Sequence, residues 1–122
     1  MRLNVLKPSV NNMSVRVFLR AADLEFTEDD VYGKTRSPEF LAKNPAHLTP
    51  MLETKELPKG GMWESCAIMQ YLCNKHEITK FYPKTAEQRA MAAVSAFAWL
   101  ASLAALLRSR KTRAPSRPAT AP

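Results

Sequence analysis

Prolines and one pair of adjacent glycines cut the first 84 residues of this chain into short pieces, and that punctuation narrows the fold. A proline lacks an amide hydrogen and has a fixed φ, so it sits at the ends of helices and strands instead of inside them. Leu3, Val5 and Leu6 form an apolar run stopped by Lys7-Pro8, which reads as a buried strand. After a polar turn from Ser9 to Asn12, the residues Val15, Phe18, Leu19 and Ala22 recur at helical spacing, with Ser14 or Asn12 as the cap. Leu24 to Val31 holds a second strand, whose acidic end (Glu28, Asp29, Asp30) is expected to leave the sheet. Ser37-Pro38 opens a short helix with a cap and a first-turn proline, carrying Phe40 and Leu41 inward, and Asn44-Pro45 ends it. Thr49-Pro50-Met51-Leu52 enters a third strand, and Gly60-Gly61 turns the chain back into a fourth at Met62-Trp63. From Ser65 to His76 a helical pattern returns, with Ala67, Ile68, Tyr71 and Leu72 on one face.

That order predicts an α/β layer fold, a mixed four-stranded sheet with three helices, over residues 1–80. Residues 81–84, Phe81-Tyr82-Pro83-Lys84, read as a linker. Thr85 and Gln88 satisfy capping-box spacing, so a single alanine-rich helix is predicted over residues 85–107. Residues 108–122 are basic and low in complexity, and are expected to be a disordered tail.

The net charge of +7 invites a nucleic-acid reading until it is located. Residues 1–88 carry 12 basic and 11 acidic side chains, whereas residues 89–122 carry six basic and none acidic. The basicity belongs to the tail, whose default is a solvated segment, and no nucleic-acid partner is expected. Ala90 to Leu107 is free of charge for eighteen residues, a helical length of about 27 Å against a hydrocarbon core of about 30 Å. Alanine adds little to insertion, so a membrane anchor is not the expected reading. Only Cys66 and Cys73 carry thiols, and the opening Arg2-Leu3-Asn4-Val5-Leu6 runs at once into Lys7-Pro8, without a secretory signal. A cytoplasmic, reducing setting is expected.

Taken singly, the residues that could carry chemistry have plain structural readings. Ser9 is a turn or cap serine, Pro50 begins a strand, and Ser65 is a helix N-cap. Cys66 and Cys73 are small core or semi-buried residues, and His76 favours a helix C-terminus, so no metal is expected.

Their order and spacing say more. The blocks Val15-Arg16-Val17-Phe18-Leu19, Leu24-Glu25-Phe26, Ser37-Pro38-Glu39-Phe40-Leu41, Asn44-Pro45, Pro50-Met51-Leu52 and Trp63-Glu64-Ser65-Cys66-Ala67-Ile68-Met69-Gln70-Tyr71-Leu72, with the Phe81-Tyr82-Pro83 linker, stand in one sequence. Together they resemble the N-terminal domain of soluble glutathione transferases, of the theta-like, serine-using type, over residues 1 to about 90. The resemblance implies a thioredoxin-like fold with glutathione as co-substrate. It implies that the Ser9 hydroxyl donates to the glutathione sulfur. A free thiol titrates near 8.5, so its thiolate needs a donor and a helix N-terminus to be favoured at neutral pH. It implies a cis Pro50 that presents the backbone of Thr49 to the cysteinyl part of the tripeptide. It implies a γ-glutamyl clamp in which Ser65 takes the carboxylate at a helix N-terminus and Glu64 pairs with the ammonium.

Two positions depart from the family pattern, which has a lysine and then a valine ahead of the proline, where this chain has Leu48 and Thr49. The lysine's contact with the glycyl carboxylate would fall to His47 or Arg36, with Lys34 as a further candidate. Asn11-Asn12 occupy the place where redox relatives such as glutaredoxin carry a cysteine, so thiol–disulfide exchange there is not expected.

The resemblance therefore implies a glutathione S-transferase, an enzyme acting on small electrophiles in detoxification, with an expected loss of activity from truncation after the first helix of an all-helical domain. A homodimer follows from the family habit. The alternatives are a non-catalytic protein-binding module like the transferase-like domain of translation elongation factor 1 gamma, or an inactive truncated isoform.

Overall fold

The computed structural model of the chain describes residues 1–94. Its elements run β1 (Arg2–Val5), α1 (Val10–Ala21), β2 (Thr27–Asp30), α2 (Pro38–Lys43), β3 (Met51–Glu53), β4 (Gly61–Trp63) and α3 (Ser65–Lys75). The four strands form one sheet in the order β2-β1-β3-β4. β1 pairs with β2 in parallel, while β1–β3 and β3–β4 are antiparallel. This is the mixed four-stranded α/β fold that the punctuation predicted, with the thioredoxin-like form that the family resemblance implied.

Alternation along the two central strands sorts the side chains into two layers. Leu3 and Val5 of β1 and Leu52 of β3 turn to one face, where they meet Val15, Phe18 and Leu19 of α1 and Ile68, Leu72 and Cys73 of α3. Met51 turns to the other face and packs with Val31 and Phe40 of α2. Complete burial of leucine-sized side chains contributes about 1.5–3 kcal/mol each, and it is this double layer that holds the strand ends in place. On the α2 side a Cβ at Gly61 would come within 3.1 Å of Lys43 Cβ and 3.2 Å of the Met51 sulfur. A glycine lets β4 lie under α2. Its neighbour Gly60 takes φ +72° at the hairpin turn, a conformation open to glycine without strain.

Several boundaries differ from the sequence reading. α1 begins at Val10, not beside Ser14, so Asn12 lies inside the helix and is fully buried. The Ser14 hydroxyl donates to the Asn11 carbonyl at 2.8 Å instead of capping the start. β2 is the acidic stretch itself, and Leu24 and Phe26 precede it as partly buried packing residues. Parallel pairing with β1 needs only backbone groups, and charges suit an exposed sheet edge. Leu6 falls outside β1, Ala67 is exposed, and Cys73 takes the inward position instead. Ser65 is the first residue of α3, with Glu64 in the N-cap position, so the expected serine cap is absent.

The chain divides after Tyr82 into two units. In the second, residues 86–94 are helical, and the Gln88 amide donates to Thr85 Oγ1 at 3.3 Å, half of the predicted capping box. Arg89 Nε donates to the Pro83 carbonyl at 2.7 Å. The rest of the helix expected over residues 85–107, and the tail expected over 108–122, lie outside the described residues. No helix among the described residues is long and apolar enough to cross a membrane.

Candidate functional site

Strand register decides which loops meet. Asn4 of β1 stands opposite Met51 of β3, and Met51 stands opposite Trp63 of β4. The segment after β1, the one before β3 and the one after β4 therefore leave the sheet at the same end. These carry Ser9, Thr49-Pro50 and Glu64-Ser65, respectively.

Hydrogen bonds tie the three segments to the first turn of α1. Ser65 Oγ donates to the Asn11 carbonyl at 3.2 Å. Asn12 Nδ2 donates to Thr49 Oγ1 at 3.1 Å. The Thr49–Pro50 peptide bond is cis, and Pro50 is buried. Four predicted site residues, Ser9, Thr49, Pro50 and Ser65, thus lie on or beside one helical turn, and Glu64 adjoins the last of them.

Ser9 occupies the N-cap position of α1 in extended conformation, and its carbonyl accepts from the Met13 amide at 3.1 Å. Its hydroxyl makes no capping bond. Ser37, in the same position on α2, does cap: its hydroxyl accepts from the Phe40 amide at 3.3 Å. The half-buried Ser9 hydroxyl therefore stays available at a helix N-terminus, where negative charge is favoured.

Glu64 has φ +74° and ψ 115°, a backbone conformation that costs a non-glycine residue about 1–3 kcal/mol and that clusters at ligand sites. The Glu64 side chain is exposed and has no ion pair among the described residues. His47 also has positive φ, at +47°, on a loop pinned by buried Asn44, whose Nδ2 donates to the Leu48 carbonyl at 2.7 Å. His47 is three residues from Pro50 and half-buried. Arg36 and Lys34 are exposed on the loop between β2 and α2. No hydrogen bond or ion pair among the described residues joins either one to the other site residues.

Asn12 is the residue that sequence reasoning missed as part of this site, having entered only as a cap candidate and as the place of a missing cysteine. It is fully buried, and its Oδ1 has no hydrogen-bond partner among the described residues. An amide left half-satisfied in a core is destabilising by about 1–3 kcal/mol and calls for an explanation. A buried polar residue beside Ser9 was the available signal, but its partner lies 37 positions away.

The thiols stand apart from this chemistry. Both cysteines are free, Cys66 half-buried beside Ser65 and Cys73 in the core, where burial pushes its thiol pKa up and keeps it protonated. His76 is exposed at the end of α3. Among the described residues no group of three or more His, Cys, Asp or Glu side chains is arranged to hold a metal ion.

The opposite end of the sheet is arranged differently. There a cleft of about 650 Å³ is lined by Arg2, Lys43, Glu53, Thr54 and Lys55, among others. Glu53 accepts from Arg2 at 2.6 Å, Lys43 at 2.7 Å and Asn4 at 2.9 Å. Burial would raise its carboxyl pKa, but the hydrogen bonds from Lys43, Arg2 and Asn4 outweigh burial and hold it below the ordinary value.

Residues 4–74 match the family model described as Glutathione S-transferase, N-terminal domain. Among solved structures, an epsilon-class glutathione S-transferase from the housefly Musca domestica matches with a TM-score of 0.64 at 33% identity, over 73% of this chain and 41% of that one. A glutathione transferase from Bombyx mori matches with a TM-score of 0.65 at 31% identity, over 73% and 42%. A glutathione transferase homologue from Drosophila mojavensis, solved with bound glutathione, matches with a TM-score of 0.62 at 31% identity, over 73% and 41%. The chain spans about two-fifths of the length of these structures.

Proposed function

The chain belongs to the glutathione S-transferase N-terminal domain family, and on that premise we propose that it binds glutathione beside the first turn of α1 and favours the thiolate of the bound tripeptide for attack on electrophilic molecules. The observation that carries this reading is the convergence of Ser9, Thr49-Pro50 and Ser65 on that turn through the Asn11 and Asn12 hydrogen bonds. In this reading the Ser65 hydroxyl and the N-terminal amides of α3 receive the γ-glutamyl carboxylate, while Glu64 faces the ammonium. The backbone of Thr49 meets the cysteinyl unit. The Ser9 hydroxyl, uncommitted to capping and close to the α1 N-terminus, donates to the sulfur and lowers its proton affinity. The thiol proton leaves to solvent, and the sulfur lone pair forms the new bond to the electrophilic carbon. The leaving group departs with its bonding pair, or the carbon's π pair moves to the neighbouring atom and takes a proton from solvent. His47 and Arg36 are assigned to the glycyl carboxylate. A homodimer belongs to the same reading, carried over from the family resemblance, and a cytoplasmic location accords with the sparse cysteines.

The donor set fits the ligand's chemistry. Two carboxylates, one ammonium and one thiol are met by hydroxyls, helix N-termini, cations and one carboxylate. Titration of the 122-residue chain with glutathione by calorimetry, repeated with Ser65→Ala, tests the reading. Loss of a hydrogen bond to a charged group predicts at least about a tenfold weaker complex in the variant. Absence of binding by the unaltered chain rejects the reading. Where binding is seen, turnover of a generic electrophile, compared with Ser9→Ala, separates an enzyme from a pure binder.

A further inference from the structure

We propose that Asn12 is a positioning residue of this site, acting through Thr49. The inference rests on the glutathione-binding reading and deepens it. Asn12 sits three residues after Ser9 in the first turn of α1, and its Nδ2 reaches Thr49 Oγ1 at 3.1 Å across 37 residues of sequence. It is fully buried, its Oδ1 has no partner among the described residues, and an apolar side chain of similar size would satisfy the core better. An incompletely satisfied amide in that place is explained by what it holds. Thr49 precedes Pro50 on a loop whose far side is pinned by Asn44. Its near side is held to α1 by Asn12.

The neighbouring bonds give this one its leverage. The carbonyl of Asn11 accepts the Ser65 hydroxyl, so adjacent residues of one turn hold the Thr49 loop and the start of α3. If the Asn12 bond is removed, the Thr49 backbone can shift relative to Ser9 while Ser65 keeps its place. The cysteinyl unit and its sulfur would then lose register, and the γ-glutamyl end would not. Asn12 touches neither the ligand nor the reacting atoms in this account.

The test uses the full chain with Asn12→Ala, Thr49→Val, Thr49→Ser and the double variant Asn12→Ala/Thr49→Val, each titrated with glutathione and melted thermally. A net hydrogen bond of ordinary strength predicts about 3–10-fold weaker binding for Asn12→Ala and for Thr49→Val. Thr49→Ser keeps the hydroxyl and is expected to stay within about twofold of the parent. The double variant is expected to be no weaker than the worse single one, since both remove the same bond. The γ-glutamyl fragment alone should bind all variants equally. Unchanged glutathione affinity in Thr49→Val, with only the melting point lowered, overturns the inference while leaving the site intact. An unaltered chain that does not bind glutathione overturns both together. Should Asn12→Ala fail to fold, the Thr49→Val and Thr49→Ser pair decides alone.

Discussion

The two ends of the sheet use polar residues in opposite ways. At the end where β1 begins, Glu53 is surrounded by Arg2, Lys43 and Asn4, and the acceptor is matched by its donors. At the end where β1 finishes, Ser9 leaves its cap unmade, Asn12 keeps an unpartnered oxygen, and Glu64 holds a backbone conformation unfavourable for its type. The first end contains a cleft of about 650 Å³ in which Arg2, Lys43 and Glu53 already answer one another. The second carries groups whose chemistry is incomplete within the described residues. On the proposed reading, the end that keeps unmet polar groups is the one that takes the ligand.

Substitution of the shared core should break both ends together. Leu52 is fully buried on β3, and Leu52→Ala is expected to cost about 2–5 kcal/mol in a chemical denaturation curve, with glutathione binding falling only as the folded fraction falls. The ends should then separate. Glu53→Ala removes the acceptor shared by Arg2, Lys43 and Asn4, leaving Arg2 its Asp29 pair and Asn4 the Met51 carbonyl. It is expected to cost about 1–3 kcal/mol, while glutathione affinity stays within about twofold. Glu53→Gln sharpens this with pH. The folded carboxyl titrates below its unfolded value, so its contribution is complete above about pH 4.3 and is lost as the pH falls through the folded value. Denaturation midpoints of the parent should drop across that acid range, and those of Glu53→Gln should drop less steeply.

The smallest effects come from the two N-cap serines. Ser37→Ala should cost about 1 kcal/mol, because that hydroxyl caps α2. Ser9→Ala should cost less than about 0.5 kcal/mol, because that hydroxyl caps nothing, and should instead reduce turnover. Equal losses of stability in paired thermal melts would contradict the contrast between a serine that caps its helix and one that does not.

The local parts of the fold were legible in the sequence. Ser37-Pro38 announced α2 through cap and proline chemistry, Gly60-Gly61 announced the hairpin, and the blocks around Pro50 and Trp63-Glu64-Ser65 pointed to the loops that meet. What escaped was set by tertiary pairing. Thr27–Asp30 looked too acidic for a strand, but an edge strand needs backbone partners more than apolar side chains. Val10 is largely exposed, so apolar periodicity could not show that α1 starts there. The Asn12–Thr49 bond and the Ser65–Asn11 bond join residues 37 and 54 positions apart, beyond the reach of any local pattern.

The most direct test of this contrast is to follow the backbone amide resonances of the 122-residue chain as glutathione is added. Saturable shifts are predicted at residues 9–12, 47–49 and 64–66, with Arg2, Lys43 and Glu53 unmoved. Saturable shifts centred on Arg2, Lys43 and Glu53, or no saturable shifts at all, would contradict the account.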